Sequence, residues 1–443
     1  MRIRAYGLGL LRSFFRKKDG AIAIIFALAV IPMFALMGAA VDYTHASAIR
    51  SDLQAALDAT ALMASKNAAN LNQTQINSAA AAYFNALFVR KDAKTPSLTV
   101  TYSTTGGSTL TVAGNTSMAT SFMSIMGISQ IDISGTSTVA WGNSRLRVAL
   151  VLDVTGSMAS SGKMTALKTA AKNLLTQLKN AATADGDVYV SIIPFAKDVN
   201  VGSTNYTQSW ISWTLWNAAN GTCSKSSWRN SYNTQSDCQN AGGKWTAANH
   251  NTWNGCVTDR DQDYDTTNAA PTTSVASTLF PAEQYNACPV TLMGLSYDWT
   301  ALSNKIDSLQ PNGGTNQAIG LQWGFQSLTN APFTIPAKDS NYTYNQVIIL
   351  LSDGLNTQDR WYGDGTTHST QVDARQQILC TNVKAAGITM YTVQVDTDGA
   401  PTSSVLQQCA SSADKFFLLT TADQIVTTFD QIGTKLSALR IAK

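Results

Sequence analysis

The sequence has little charge and almost no histidine. Of its 443 residues, 13% are Asp, Glu, Lys or Arg, and 3 are His. Lys and Arg number 31 against 28 Asp and Glu, but six of the cations lie in the first 18 residues: Arg2, Arg4, Arg12, Arg16, Lys17 and Lys18. Without these six the chain is slightly acidic. The sequence therefore predicts no basic face and no nucleic-acid partner.

The common motifs of enzyme active sites are also missing. None of the three histidines (His45, His250 and His368) lies in a G-x-S-x-G or H-E-x-x-H setting, and the chain has no P-loop. We therefore predict that the protein is not an enzyme. Its 44% hydrophobic content is nonetheless ordinary for a folded protein, and its length allows two or three domains.

The cysteines form no C-x-x-C pair, which disfavours a zinc ribbon or a thioredoxin-like redox site. An even number at wide spacing is more typical of structural disulfides in an oxidising compartment. Cys380 ends a predicted helix and Cys409 lies in the next helical segment, so we expect these two to pair. The other four should pair among themselves, most simply Cys223 with Cys238 and Cys256 with Cys288.

One long run without charge extends from Gly20 to Val41. At about 1.5 Å per helical residue, such a run spans a hydrocarbon core of about 30 Å, so it predicts a single transmembrane helix. The basic cluster precedes it and Asp42 follows it, which places residues 1–19 in the cytoplasm and the rest outside. Two alternatives are a cleaved signal peptide and prepilin-like processing near Gly20, although the glutamate of a mature pilin is absent.

Residues 42–142 predict a stalk made of a helix and a small sheet. Apolar residues recur at helical spacing from Tyr43 to Asn67, and residues 97–140 then alternate apolar with Ser or Thr around a turn at Gly106 and Gly107. The stretch from about residue 15 to 70, with its Asp42-Tyr43 exit and its ALDATAL helix, resembles the TadE/TadG-like proteins of Flp (tight adherence) pilus assembly. That resemblance implies a bacterial inner-membrane protein with a periplasmic domain and with pilus or envelope components as partners.

A second motif begins where the run LRVALVLD ends. An almost continuously apolar run from Leu146, interrupted by Arg147 and ending in Asp153, predicts a parallel strand buried on both faces. In the following residues Asp153, Thr155 and Ser157 place one carboxylate and two hydroxyls at alternate positions, so an extended loop can turn all three toward one point. This Asp-x-Thr-x-Ser motif is similar to the D-x-S-x-S motif of von Willebrand factor A (VWA) domains.

The VWA site also uses a threonine and an aspartate from two later loops. Thr315 lies in a Gly-rich loop that opens a helix, and Asp353 ends the apolar run VIILLSD. The resemblance implies a metal-ion-dependent adhesion site (MIDAS) of Asp153, Thr155, Ser157, Thr315 and Asp353, completed by an acidic residue of a protein partner. Hard oxygen ligands with few carboxylates suit Mg²⁺ or Mn²⁺. The plainer alternative is that both aspartates only cap helices or close turns.

These patterns predict an α/β fold over residues 145–440, with a doubly wound, mainly parallel, Rossmann-like sheet. Further strands are predicted at Val188–Phe195 and Gly387–Val395, and helices at Lys163–Asn180, Gln371–Ala386 and Gln424–Leu439. Because ligands of such sheets bind beyond the carboxyl ends of the strands, the positions of Asp153 and Asp353 fit a site.

An insertion at about 200–297 interrupts the alternation of strands and helices, and we expect it to lie near the rim of the predicted site. It carries four of the six cysteines and, with Trp299 at its border, seven of the ten tryptophans. These rings either fill a small disulfide-stapled core or anchor a partner or a sugar. Asp259, Asp261, Asp263 and Asp265 alternate like a calcium loop, without the glycine and glutamate of an EF-hand. The predicted function is metal-dependent partner binding in pilus assembly, with a general surface adhesin for an external protein or glycan as the alternative.

Overall fold

The structure is a computed structural model that describes residues 19–68, 71–104, 108–141, 144–225, 231–340, 342–399 and 401–441. The chain forms two compact units, one ending at Trp141 and one beginning at Gly142. Residues 1–18 of the predicted cytoplasmic leader, the predicted turn at Gly106 and Gly107, and Trp228 lie outside the described residues.

The described residues of the N-terminal unit form one long helix, a second helix and a small sheet. Helix α1 (Asp19–Ser65) has 47 residues and runs through Pro32 without a break, and α2 (Gln73–Leu87) follows it. Three antiparallel strands stand in the order β1-β2-β3: Ser97–Ser103, Ser108–Ala119 and Gln130–Trp141. Within the described chain, α1 is the one helix long and apolar enough to cross a membrane, by length and composition. This agrees with the apolar helix that the sequence predicts.

The second half of α1 packs on this sheet. Ile49, Leu53 and Leu57 are fully buried and share a core with Leu110 and Ile133. These α1 residues recur every four positions along one face of the helix. The predicted combination of helix and small sheet is therefore present in this unit.

The described part of the C-terminal unit contains twelve strands and eight helices. The strands are Ser144–Asp153 (β4), Val188–Phe195 (β5), Val199–Asn200 (β6), Ile211–Ser212 (β7), Gly221–Cys223 (β8), Trp245–Ala247 (β9), Cys256–Val257 (β10), Phe280–Pro281 (β11), Met293–Ser296 (β12), Thr343–Ser352 (β13), Thr389–Val395 (β14) and Phe416–Leu419 (β15). The helices are Lys163–Ala181 (α3), Thr214–Ala219 (α4), Gln235–Asn240 (α5), Trp299–Asp307 (α6), Gln317–Thr329 (α7), Thr370–Ala385 (α8), Ser404–Cys409 (α9) and Asp423–Ile441 (α10).

The main sheet is largely parallel. Its strand order is β10-β6-β5-β4-β13-β14-β15, with β12 paired to β5. Five neighbouring strands, from β5 through β4 and β13 to β14 and β15, are all parallel. The mixed α/β fold with a parallel sheet that the sequence predicts is therefore confirmed.

Helices cover both faces of this sheet, which explains the apolar run of β4 from Val148 to Leu152. Val148, Leu150 and Leu152 pack on one side with α3, α6 and α10. Ala149 and Val151 pack on the other side with α7, α8 and α9. From Val148 to Leu152, where both faces of the strand are covered by helices, every residue of β4 is apolar, and the next polar residue is Asp153 at its end.

Tryptophans of the insertion are part of the second of these cores. Trp216 and Trp253 are buried there together with Phe280 and with Trp323 of α7. Trp213 stacks on His250, with ring centroids 3.8 Å apart. The insertion also contains strands of two to four residues and helices of six, which the sequence did not predict. Elements this short do not complete a period that could be recognised in a sequence.

Three disulfides are present, and their partners are the predicted ones. They join Cys223 to Cys238, Cys256 to Cys288, and Cys380 to Cys409. The last connects α8 to α9. The first two lie in the insertion, where elements are short and the covalent links substitute for an extensive core.

Candidate metal site at the carboxyl ends of the strands

Two neighbouring parallel strands bring the two predicted carboxylates to the same edge of the sheet. In the pairing of β4 with β13, Leu152 lies opposite Leu351, so Asp153 and Asp353 both follow at the carboxyl ends. The Ser352 hydroxyl donates to Asp153 Oδ2 at 2.5 Å and links the two strand ends directly. This edge is where an open α/β sheet binds its ligands.

The loop after β4 arranges its polar side chains in series. Asp153 Oδ1 accepts a hydrogen bond from the backbone N–H of Thr155 at 2.8 Å. The hydroxyls of Thr155 and Ser157 are 3.1 Å apart, and Ser157 donates to Asp353 Oδ1 at 2.6 Å. Four of the five predicted residues are therefore joined by short polar contacts. Thr155 has extended backbone, and a short 3-10 helix, Gly156–Ala159, then turns the chain at Ser157.

The fifth residue, Thr315, belongs to a loop that is bonded to the other two. Asn312 N–H donates to the Val154 carbonyl at 2.7 Å, and Gly156 N–H donates to the Gly313 carbonyl at 2.9 Å. On its other side Thr315 exchanges backbone bonds with Thr357, of the loop after β13: its carbonyl accepts from Thr357 N–H, and its N–H donates to the Thr357 hydroxyl, both at 2.9 Å. The structure thus brings all three predicted loops together.

Gly313 permits this close approach. Its φ is +90°, a backbone conformation that favours glycine, and a Cβ there would lie 2.6 Å from the Tyr285 hydroxyl. That hydroxyl accepts a hydrogen bond from the N–H of Gly314 at 3.1 Å. Tyr285 belongs to the insertion, so the insertion supports the loop that carries Thr315.

Lys163 lies at the site and was not predicted. It is buried at the start of α3, and its Nζ is 2.7 Å from Asp353 Oδ2 and 3.5 Å from Asp398 Oδ2. A cation in the first turn of a helix opposes the helix dipole, so a lysine at this position needs nearby anions. That conflict was the signal in the sequence: a lysine directly after a Gly-terminated loop, six residues beyond Ser157.

The electrostatics of the pair favour a cation. Asp153 is fully buried, and burial together with the nearby Asp353 carboxylate raises the pKa of Asp153 to about 7. Two buried carboxylates with three hydroxyl groups are a set of hard oxygen donors, which suits a small divalent cation. In the described ranges there is no cluster of three or more His, Cys, Asp or Glu side chains that could hold a metal. A metal here would depend on hydroxyls as well as on carboxylates.

The insertion also contacts the Thr315 loop through Asp259. This carboxylate accepts a hydrogen bond from Asn316 Nδ2 at 2.9 Å and one from the backbone N–H of Arg360 at 3.1 Å. Burial and the neighbouring Asp359 raise the pKa of Asp259 to about 7. The insertion therefore lies beside the candidate site, as the short distance in sequence to Thr315 suggests.

The run of alternating aspartates does not form a calcium loop in this structure. Arg360 pairs with Asp261 at 2.8 Å, and Arg375 pairs with Asp263 at 3.4 Å and with Asp265 at 2.5 Å. The arginines that neutralise these carboxylates come from residues about 100 positions later in the chain. The sequence pattern alone could not show that pairing.

Two exposed aromatic residues lie on the loop that follows Asp353. Trp361 and Tyr362 are both exposed, and the guanidinium of Arg360 lies 4.1 Å from the Trp361 ring centroid. Most of the tryptophans occur in the insertion. No periodicity or motif in the sequence distinguishes Trp361 and Tyr362.

Solved structures with some similarity include pilus proteins. The pilus adhesin SpaC from Lactobacillus rhamnosus GG has a TM-score of 0.37 and 14% identity, covering 79% of this chain and 35% of that one. The vWF domain of the type V pili tip protein Mfa5 from Porphyromonas gingivalis has a TM-score of 0.38 and 11% identity, covering 68% and 97%. Proximal thread matrix protein 1 from the mussel byssus, with a zinc-occupied MIDAS motif, has a TM-score of 0.34 and 12% identity, covering 68% and 47%.

This chain spans about a third of the length of SpaC. At TM-scores this low the likeness is not evidence for a function. A search among curated proteins gave no match. Residues 20–82, which comprise most of α1 and much of α2, match the model of a protein family described as putative Flp pilus-assembly TadE/G-like. The N-terminal segment is therefore TadE/G-like, as the sequence resemblance indicates.

Proposed function

We propose that this protein is a membrane-anchored, extracytoplasmic VWA protein that binds an acidic group of a protein partner through a divalent metal. Its setting would be Flp/Tad pilus assembly or anchoring at the bacterial inner membrane. The observation that carries the binding role is the joining of three loops around Asp153, Ser157, Thr315 and Asp353. The TadE/G-like match at residues 20–82 supports the pilus setting. In this proposal residues 42–142 are a stalk and residues 145–440 the VWA domain.

The proposed chemistry is binding without catalysis. Thr155, Ser157 and Thr315 would offer hydroxyl oxygens, while Asp153 and Asp353 supply negative charge and accept hydrogen bonds. When bound, Mg²⁺ or Mn²⁺ would supply a concentrated positive charge with an open position for a carboxylate. Lys163 neutralises part of the charge on Asp353, and the Ser352 hydroxyl holds Asp153 in place.

The second candidate, a surface adhesin for an external protein or glycan, is favoured by the exposed rings of Trp361 and Tyr362 beside the site. Exposed aromatic residues are common anchors at interfaces. Genes for a secretion ATPase and a prepilin peptidase next to the gene for this protein would favour the pilus role. Their absence, with binding of an external ligand, would favour the adhesin.

Titration calorimetry tests the metal role. The full chain in nanodiscs should bind one Mn²⁺ or Mg²⁺, and Asp153→Ala should abolish the binding heat. The fold should survive because the substitution relieves repulsion with Asp353 while it removes two hydrogen bonds. The matched control is Asp185→Ala, an exposed acid before β5 and so at the opposite edge of the sheet. Equal metal affinity in wild type and Asp153→Ala would rule out this site.

A further inference from the structure

A short apolar loop connects β2 to β3 in the N-terminal unit. Residues 122–128 (FMSIMGI), here called the apolar loop, contain no charged residue. Ile125 is 84% exposed, and Phe122, Met126 and Ile128 are exposed as well. Solvent-exposed clusters of large apolar side chains in a folded unit mark surfaces that bind a protein or a membrane.

The apolar loop is fastened to α1 at a single carboxylate. Asp42 accepts three backbone hydrogen bonds, from Ser121 at 3.1 Å, Phe122 at 2.8 Å and Met123 at 2.7 Å. The bond from Met123 contributes most to lowering the pKa of Asp42, so this carboxylate stays ionised and holds the loop at neutral pH. Since its charge is satisfied by three N–H groups, Asp42 can lie next to an apolar environment at modest cost.

Gly38 sets the height of the loop along α1. A Cβ at this position would lie 2.4 Å from Phe122 Cβ, so glycine allows the phenylalanine to rest directly against the helix. Gly38 precedes Asp42 by one helical turn, about 6 Å along the axis. Phe122 is therefore level with the last turn of the uncharged run 20–41, and not with the polar helix beyond it.

The helix itself is apolar and exposed at this same level. Met37 and Val41, which flank Gly38, are both exposed, as is Leu36. The apolar loop and the end of the uncharged run thus form one continuous apolar surface from two separate parts of the chain. A loop that lies level with the end of a membrane helix meets the boundary between hydrocarbon and headgroups, where such side chains are stabilised.

We propose that the apolar loop is a second membrane contact, which inserts Phe122, Ile125, Met126 and Ile128 into the interface of the bilayer that α1 spans. The partner is the lipid surface. The inference rests on the proposed membrane anchor. In addition, two membrane contacts, α1 and the apolar loop, would fix the distance of the N-terminal unit from the membrane and its rotation about the axis of α1. A single helix would leave rotation about its own axis free, whereas a loop bound at Asp42 and Gly38 does not.

Spin labelling of the full chain in nanodiscs tests this. The described part of the chain has no free cysteine, so one introduced cysteine can be labelled selectively. The three variants are Ile125→Cys in the loop, Phe34→Cys in the apolar run and Val89→Cys as an exposed apolar control. Val89 adjoins Arg90, which pairs with Asp52, ten residues or about 15 Å beyond Asp42 along α1.

The labels at Ile125 and Phe34 should collide several-fold more often with oxygen than with a water-soluble nickel complex, and the label at Val89 should show the reverse. If the label at Phe34 contacts lipid while the label at Ile125 contacts water, the loop proposal is wrong and the membrane anchor is still supported. Water at Phe34 would overturn both. A label at Ile125 that is shielded from both reagents would indicate a protein partner, such as a second copy of this chain, and would also overturn the proposal.

A second variant checks that the position of the loop is responsible. Gly38→Val places a side chain where Phe122 lies, so it should displace the loop and give the Ile125 label several-fold more contact with the nickel complex. The label at Phe34 should remain in lipid, and the circular dichroism spectrum should be unchanged. An Ile125 label that stays in lipid despite this change would contradict the proposed role of Gly38 and Asp42 in placing the loop.

Discussion

At the level of single residues, the candidate site contains two buried carboxylates and one buried lysine. Asp153 and Asp353 are both buried, and Lys163 provides an internal cation at 2.7 Å from Asp353. A buried ion pair adds little net stability, but removing one partner leaves the other charge uncompensated. Lys163 thus matters most when no metal neutralises the two carboxylates.

These buried charges predict the behaviour of Lys163→Met. In a metal chelator the variant should lose about 3–5 kcal/mol of unfolding free energy, because Asp353 is left buried without its cation. Added Mg²⁺ should restore more stability to the variant than it adds to wild type. Denaturant unfolding with and without Mg²⁺ measures both effects.

The matched control is Lys172→Met on the same helix, whose ion pair with Asp307 is exposed. It should change the unfolding free energy by no more than about 1 kcal/mol, with no added response to Mg²⁺. If Lys163→Met were as stable as wild type in the chelator, the lysine would not be the counterion that the geometry indicates.

At the level of secondary structure, the elements that could be predicted are the long ones, in which the hydrophobic pattern continues over many residues. The run before Asp153 predicts β4 because a strand that is buried on both faces is mostly apolar. The predicted helix Gln371–Ala386 is α8 (Thr370–Ala385), and the predicted helix Gln424–Leu439 is α10 (Asp423–Ile441). The bounds differ by one or two residues, as caps and fraying allow.

The parts that could not be predicted depend on contacts between distant segments. The arginines that neutralise Asp261 and Asp265 come from the region after β13. The height of the apolar loop depends on Gly38, more than 80 residues before it. Neither pairing leaves a periodic trace in the local sequence. The meeting of the loops after β4 and β13 was an exception, because each of these loops directly follows a strongly apolar strand.

At the scale of the whole molecule, the main prediction is the orientation in the membrane. The six cations before Gly20 and the uncharged run after them predict a cytoplasmic N-terminus and an external C-terminal domain. In cells with a permeabilised outer envelope, added protease should digest everything after Asp42 and leave a short protected fragment. A cytoplasmic marker protein should stay intact as the control.

Two results would contradict this orientation. A released, soluble chain that lacks the apolar run would show that the segment is a cleaved signal. A chain fully protected from the protease would show the reverse topology. The first result would remove the membrane anchor from the proposed function, and the second would place the C-terminal domain in the cytoplasm. Neither would affect the metal site.

We expect one divalent metal to bind where the three loops meet. Anomalous diffraction from crystals of the Mn²⁺-loaded protein would locate it. The expected result is a single peak about 2.0–2.2 Å from the hydroxyl oxygens of Ser157 and Thr315, next to Asp153 and Asp353, and no peak in crystals of Asp153→Ala. Peaks confined to other positions, with Lys163 still bonded to Asp353 and no density among the three loops, would contradict it.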